Sequence, residues 1–184
     1  DAFEYKFFDY QPTTIFKRLI LRNSGMDFNA TMFRDGVIQK SVSHLNFETQ
    51  SYTPAVSFIN GEFWGILNIR ERLDDEYYNL KYGVPKDSMD ILENTYQIKL
   101  GEDDHYIETL NYVKNNNMSS VNNFNEVTRR LDVDNMIDYY TTELYFNNQD
   151  WPNNNMQYWR MSRPYDATQP KGKDGRWRWS LFDI

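Results

Sequence analysis

The chain has 184 residues, no cysteine and a formal net charge of −7. That length supports a substantial core without covalent staples, and the missing thiols exclude a disulfide framework, a thiolate metal site and a cysteine nucleophile. The acidic balance argues against nucleic acid or an anionic membrane as the main partner, although an acidic protein binds nucleotide well when a divalent cation bridges its carboxylates to the phosphates.

No run approaches the roughly 20 apolar residues of a membrane span, and Asp1 to Tyr10 lacks the charged-then-apolar order of a signal peptide. Asp1 and Ile184 both sit in apolar, strand-like text, so the chain reads as a piece cut from a longer domain. Thr14 to Arg22 alternates imperfectly between apolar and basic residues, as a half-buried strand does, and Asn23-Ser24-Gly25 breaks it. Helical spacing of Met32, Phe33, Val37, Ile38 and Val42 predicts a helix over Thr31 to Leu45, capped by Asn29 or Thr31, with Gly36 marking a close contact. Two apolar runs, Pro54 to Asn60 and Phe63 to Ile69, meet at Asn60-Gly61, a dipeptide that accepts positive φ and closes a hairpin. The Arg70-Glu71-Arg72 alternation after it reads as a solvated salt-bridge ladder, or places Glu71 at a nucleotide hinge.

From Asp74 helical text takes over. A helix from Asp74 to Tyr82 stops at Gly83, a short strand covers Met89 to Leu92, and helices follow near Asp103 to Asn115 and Val121 to Leu131. The best-marked helix runs from Val133 to Phe146, with Asp132 or Asp134 as cap and Val133, Met136, Ile137, Tyr140 and Leu144 as one apolar stripe. Strands at Met156 to Met161 and Arg176 to Phe182 flank a Pro-, Gly- and Lys-rich loop. Strands first and helices after imply an α+β protein: 1–73 mainly sheet with one helix, 74–184 mainly helical with a terminal hairpin. The 14 tyrosines and 5 tryptophans are read as core filling more readily than as a sugar-stacking surface.

Antiparallel pairing of the last two strands would make Asn155 and Asp183 neighbours, with Asp150 in the loop entering the same edge. Two carboxylates and an amide oxygen suit Mg²⁺ or Mn²⁺. The same parts in the same order serve protein kinases: an Asp for the acceptor hydroxyl, an Asn five residues later, and a metal-binding Asp after a hairpin. Asn148-Gln149 stands where that template has His-Arg, and Ile184 where it has Phe. Candidate cations for phosphate are Arg22, Arg34 and the Lys17-Arg18 pair. No Walker-type loop, Gly-x-Ser-x-Gly elbow or histidine partner for Asp150 is present.

The runs Asn148-Gln-Asp-Trp-Pro-Asn-Asn-Asn155, Tyr158-Trp-Arg160 and Trp177-Arg-Trp-Ser-Leu-Phe-Asp183 resemble the carboxy-terminal signature of CotH (spore-coat protein H) proteins. Leu21-Arg-Asn-Ser-Gly-Met-Asp27, Met32-Phe-Arg-Asp35, Ile59-Asn-Gly-Glu-Phe-Trp-Gly-Ile-Leu-Asn-Ile-Arg-Glu-Arg-Leu-Asp74 and Leu131-Asp-Val-Asp-Asn-Met-Ile-Asp-Tyr139 fit the same family in the same order. The resemblance implies an atypical kinase fold, with a sheet lobe and a helical lobe, that uses ATP with Mg²⁺ or Mn²⁺ to phosphorylate surface or coat proteins outside the cytoplasm. Carried over, Asp150 orients the acceptor hydroxyl, Asn155 and Asp183 bind metal, and a second Asp is expected two positions beyond Asp183. Arg22, Arg34 and Glu71 are the candidates for nucleotide contact. Two rivals stand beside this: a non-catalytic adhesion module that keeps the shell, and a carbohydrate-binding or carbohydrate-active protein using Asp150 with another acid.

Overall fold

Antiparallel pairing organises the chain in the computed structural model, which describes residues 2–184; Asp1, read above as part of a strand-like opening, lies outside them. Among the described residues the architecture is α+β, with three antiparallel sheets and five α-helices. A two-stranded ribbon pairs β1 (Phe3–Glu4) with β2 (Ile15–Phe16). A second sheet has the order β3-β5-β4, from β3 (Leu19–Arg22), β4 (Tyr52–Ile59) and β5 (Glu62–Glu71). Asn60 and Gly61 turn the β4–β5 hairpin with φ of 52° and 85°, the positive values that the dipeptide was expected to supply.

Helix α1 (Arg34–Ser41) is shorter than predicted and has no side-chain cap. Thr31, expected as a cap, instead donates its hydroxyl to the Asp27 carboxylate at 2.5 Å. A Cβ at Gly36 would lie 2.6 Å from the Tyr52 ring, so glycine is what lets α1 approach β4. Helix α2 (Asp75–Tyr82) follows the sequence closely: the Asp74 carboxylate accepts from the Glu76 and Tyr77 N–H groups, and Gly83 ends the helix at φ 65°.

The remaining strands, β6 (Met89–Glu93), β7 (Gln97–Leu100), β8 (Met156–Met161) and β9 (Arg178–Leu181), form one sheet in the order β7-β6-β8-β9. Thus 74–184 holds a full sheet as well as helices α2, α3 (Asp104–Asn115), α4 (Val121–Thr128) and α5 (Val133–Phe146). Period-two alternation sends Leu92 and Tyr158 to a core shared with Tyr106, Val127, Leu131 and Tyr139, and sends Ile91 and Trp159 to a second core under α2. Trp159, Trp177 and Trp179 are fully or almost fully buried, so core filling is the main use of the tryptophans; truncating one to alanine would cost about 3–5 kcal/mol. Trp159 stacks on Tyr78 of α2 with ring centroids 4.1 Å apart.

Two expectations hold only in part, because tertiary partners decide which face is buried. On α5, Val133, Met136 and Tyr140 of the predicted stripe pack against the core, but Ile137 and Leu144 are exposed, while Asn135, Tyr139, Thr142 and Glu143 are buried. Asn135 acts as a strand-like partner for β9: its Oδ1 accepts from the Trp179 N–H at 2.6 Å, and its Nδ2 donates to the Trp179 and Asn46 carbonyls. Of the Arg70–Arg72 ladder only Arg72 is exposed, its Nε 3.3 Å from Asp74 Oδ2. Arg70 is buried in an ion pair with Asp35, and Glu71 is buried with its Oε2 accepting from the Ser51 N–H at 3.0 Å. Burial raises the Glu71 carboxyl pKa.

Candidate active site

Pairing of Met156 with Leu181 brings the entry of β8 and the exit of β9 to one edge. Helix α5 points its C-terminal end at the same edge and stops at Asn147, whose φ of 55° turns the chain into the loop that carries Asp150. Asn155 and Asp183 flank the edge, each at φ 57°. A left-handed conformation costs a non-glycine residue roughly 1–2 kcal/mol, and three such residues together mark a place where surrounding contacts hold the backbone. For Asp183 those contacts are visible: its carbonyl accepts from Asn155 Nδ2 at 2.9 Å and from Asn148 Nδ2 at 3.3 Å. With Nδ2 committed there, Oδ1 is the atom of Asn155 that remains for a cation.

The opposite wall comes from β3, α1 and the turn between them. Arg22, at the end of β3, pairs with the Asp183 carboxylate, and its Nη1 lies 3.9 Å from Asp35 Oδ2 on α1. Asp35 is also the partner of Arg70 and accepts from the Ile184 N–H at 3.1 Å, so one carboxylate ties β3, β5 and α1 to the segment carrying Asp183. Arg34 Nη2 lies 3.5 Å from Asp27 Oδ1. The Thr31 hydroxyl, with backbone N–H groups of Arg34 and Thr31, holds the Asp27 carboxyl down at about 2.

A cleft of about 630 Å³ runs between these walls, lined by Arg22, Arg34, Asp150, Asn155 and Asp183 together with Asp27 and Asp35. Five of the eight residues singled out in the sequence therefore share one cavity, in the size range of a small-molecule site. Glu71, Lys17 and Arg18 do not, and line another cavity. Leu19 pairs with Glu71 and Arg22 with Asn68, so alternation places Glu71 and Arg22 on opposite faces of the sheet. Glu71 lines a separate cavity of about 260 Å³ with Phe16, Arg18, Tyr77 and Leu80. Neither histidine lines the cleft. His105 Nδ1 accepts from the Trp177 indole at 3.0 Å, near the far end of β9.

The family model described as CotH kinase protein matches residues 2–184. The chain belongs to the CotH kinase protein family. No curated protein matches it significantly. The CotH assignment covers every described residue, so the cleft, its walls and the α5–β8–β9 edge all lie within the family's domain.

The donor chemistry of this CotH cleft suits a hard divalent cation. Its lining holds two guanidinium groups against four carboxylates, a formal charge of −2, and the negative end of the α5 dipole adds to it. Among the described residues no group of three or more His, Cys, Asp or Glu forms a self-sufficient metal cage. The protein's own oxygens, from Asp183, Asn155 and Asp150, are few and one is paired with Arg22, which fits an ion held jointly by protein and phosphate. Asn148, Glu143, Asp35 and Asp27 were not anticipated. Asp35 and Asp27 lie within the Met32–Asp35 and Leu21–Asp27 runs, but nothing local signals their partners.

Proposed function

We propose that this cleft transfers the γ-phosphoryl group of ATP to a protein hydroxyl, with Mg²⁺ or Mn²⁺ held by Asp183 and Asn155. The observation that carries the reading is the convergence of Asp150, Asn155, Asp183 and the β3 arginine Arg22 on one cleft. The reading draws support from the working parts of a protein kinase, in which a strand cation pairs with an acid on a helix and faces the metal aspartate: Arg22 lies 3.9 Å from Asp35 on α1 and pairs with Asp183. Bound there, the metal ion would neutralise charge on the transferring phosphoryl group.

The chain's residues supply the rest by positioning and electrostatics. Asp150 is exposed at the cleft mouth, where it accepts the proton of an incoming hydroxyl and orients its oxygen for in-line attack. Arg22 and Arg34 carry the positive charge that faces the phosphates. The acceptor is a surface or coat protein, so the enzyme acts outside the cytoplasm; no described helix is long and apolar enough to cross a membrane. A carbohydrate reading is less well supported, because Phe146 is the lone aromatic among the cleft's lining residues and offers no sugar-stacking platform. The adhesion reading has one observation in its favour: the β4–β5 hairpin exposes Phe58, Phe63 and Trp64 at 62%, 65% and 69%.

Thermal unfolding with and without ATP and Mg²⁺ or Mn²⁺ tests the nucleotide site. At a ligand concentration near one hundred times Kd the wild type gains about 2.7 kcal/mol, and Asp183→Ala removes the metal-dependent rise. A wild type that melts at the same temperature in saturating nucleotide and metal contradicts the proposal and favours the adhesion reading.

A further inference from the structure

We propose that Asn148, oriented by the buried Glu143, is the positioning residue that fixes Asp150 and Asp183 relative to one another; this rests on the phosphotransfer reading of the cleft. Asn148 is the second residue after α5, and its amide meets three separate segments. Its Oδ1 accepts from the Asp150 N–H at 3.3 Å. Its Nδ2 donates to Glu143 Oε2 at 2.9 Å and to the Asp183 carbonyl at 3.3 Å. One side chain thus joins the hydroxyl-orienting loop, the last turn of α5 and the exit of β9.

The chemistry explains why an amide stands there. A carboxylate and a carbonyl only accept, so Nδ2 must face Glu143 and Asp183, and Oδ1 is left for the Asp150 N–H. An aspartate of the same shape would set its oxygens against both acceptors. Beside Asn148, the Glu143 carboxyl is faced by the Tyr139 hydroxyl. Glu143 is 1% exposed, its Oε1 has no hydrogen-bond partner, and burial raises its pKa, so an apolar residue would suit the packing better. What Glu143 does provide is the acceptor that selects the orientation of Asn148. The backbone of Asp183 needs such support, because its φ of 57° is left-handed and its carbonyl is held by two amides, Asn148 and Asn155.

The test compares Asn148→Asp, Asn148→Ala, Glu143→Gln and Asp183→Ala in the whole chain. The readout is the Mg²⁺ concentration at half of the ATP-dependent rise in Tm, alongside the ligand-free Tm. Removing a group that orients a metal ligand typically weakens metal binding about 10- to 100-fold. Asn148→Asp and Asn148→Ala are therefore expected to raise the Mg²⁺ midpoint at least about tenfold. Glu143→Gln, whose amide oxygen still accepts from Asn148, is expected to stay near the wild type. A ligand-free Tm close to the wild type separates positioning from general loss of fold, and Asn148→Ala serves if the repulsion in Asn148→Asp prevents folding. Midpoints for both Asn148 variants that match the wild type, while Asp183→Ala abolishes the response, overturn this proposal alone. No response in the wild type overturns the phosphotransfer reading and this proposal with it.

Discussion

The two ends of the β8–β9 pair share strands and differ in almost every other respect. At the end joined by the 162–177 loop, charge is buried and matched: Arg160 Nε bonds Asp90 at 2.8 Å, Arg178 pairs with Asp132, and all four side chains are less than 10% exposed. At the other end Asn155 and Asp183 adopt left-handed backbone, Asp150 is exposed, and Asp183 shares an accessible arginine with Asp35. The first end spends its polar groups on holding the sheet to α5 and β6. The second leaves them open to the cleft, and that contrast, on one pair of strands, separates candidate site from scaffold.

The contrast is sharpest in a pair of aspartates. Asp132 caps α5 through the Asn135 N–H and pairs with Arg178 in the core, so Asp132→Ala leaves a buried guanidinium uncompensated and is expected to cost about 3–5 kcal/mol. Asp183→Gly removes an accessible ion pair and places at φ 57° the residue that tolerates it best, so stability should stay within about 1 kcal/mol of the wild type. Urea unfolding of both variants checks this, and equal losses would erase the distinction between the two ends.

A smaller effect probes the loop end through pH. Burial, with Arg160 and Arg130 nearby, lowers the His105 pKa from 6.5 to about 4. The folded chain therefore takes up this proton later than the unfolded chain. The contribution of neutral His105 is fully present above pH 6.5 and is lost as pH falls toward 4. His105→Gln, whose amide oxygen can accept from the Trp177 indole without titrating, should flatten that part of the stability profile. Urea midpoints measured from pH 7.5 to 4.5 that decline identically in wild type and variant would contradict the assignment.

Local chemistry made much of this legible in advance. Asn60-Gly61 announced its hairpin, Asp74 and Gly83 bounded α2, and the bounds of α5 and β8 follow from cap and period. Asp150, Asn155 and Asp183 could be brought together on paper because a hairpin has only one open edge. The residues that hold them there were not legible. Asp35 acts through Arg22, Arg70 and the Ile184 N–H, the last of these 149 positions away, and Asn148 reaches Asp183 across 35. The α5 stripe holds at Val133, Met136 and Tyr140 but not at Ile137 and Leu144, because β9 packs on the side bearing Asn135. A glutamate on the last turn of that helix, Glu143, was a signal that local reading passed over.

The most direct test of the central claim is transfer of labelled phosphate from ATP to Ser-, Thr- and Tyr-containing acceptor peptides in Mg²⁺ or Mn²⁺, comparing wild type with Asp150→Ala. The account predicts that the variant keeps its nucleotide- and metal-dependent rise in Tm while transfer falls about 10²- to 10⁴-fold, the contribution typical of a positioned acid or base. Equal transfer by both proteins, or none by a wild type that binds nucleotide and metal, would contradict it.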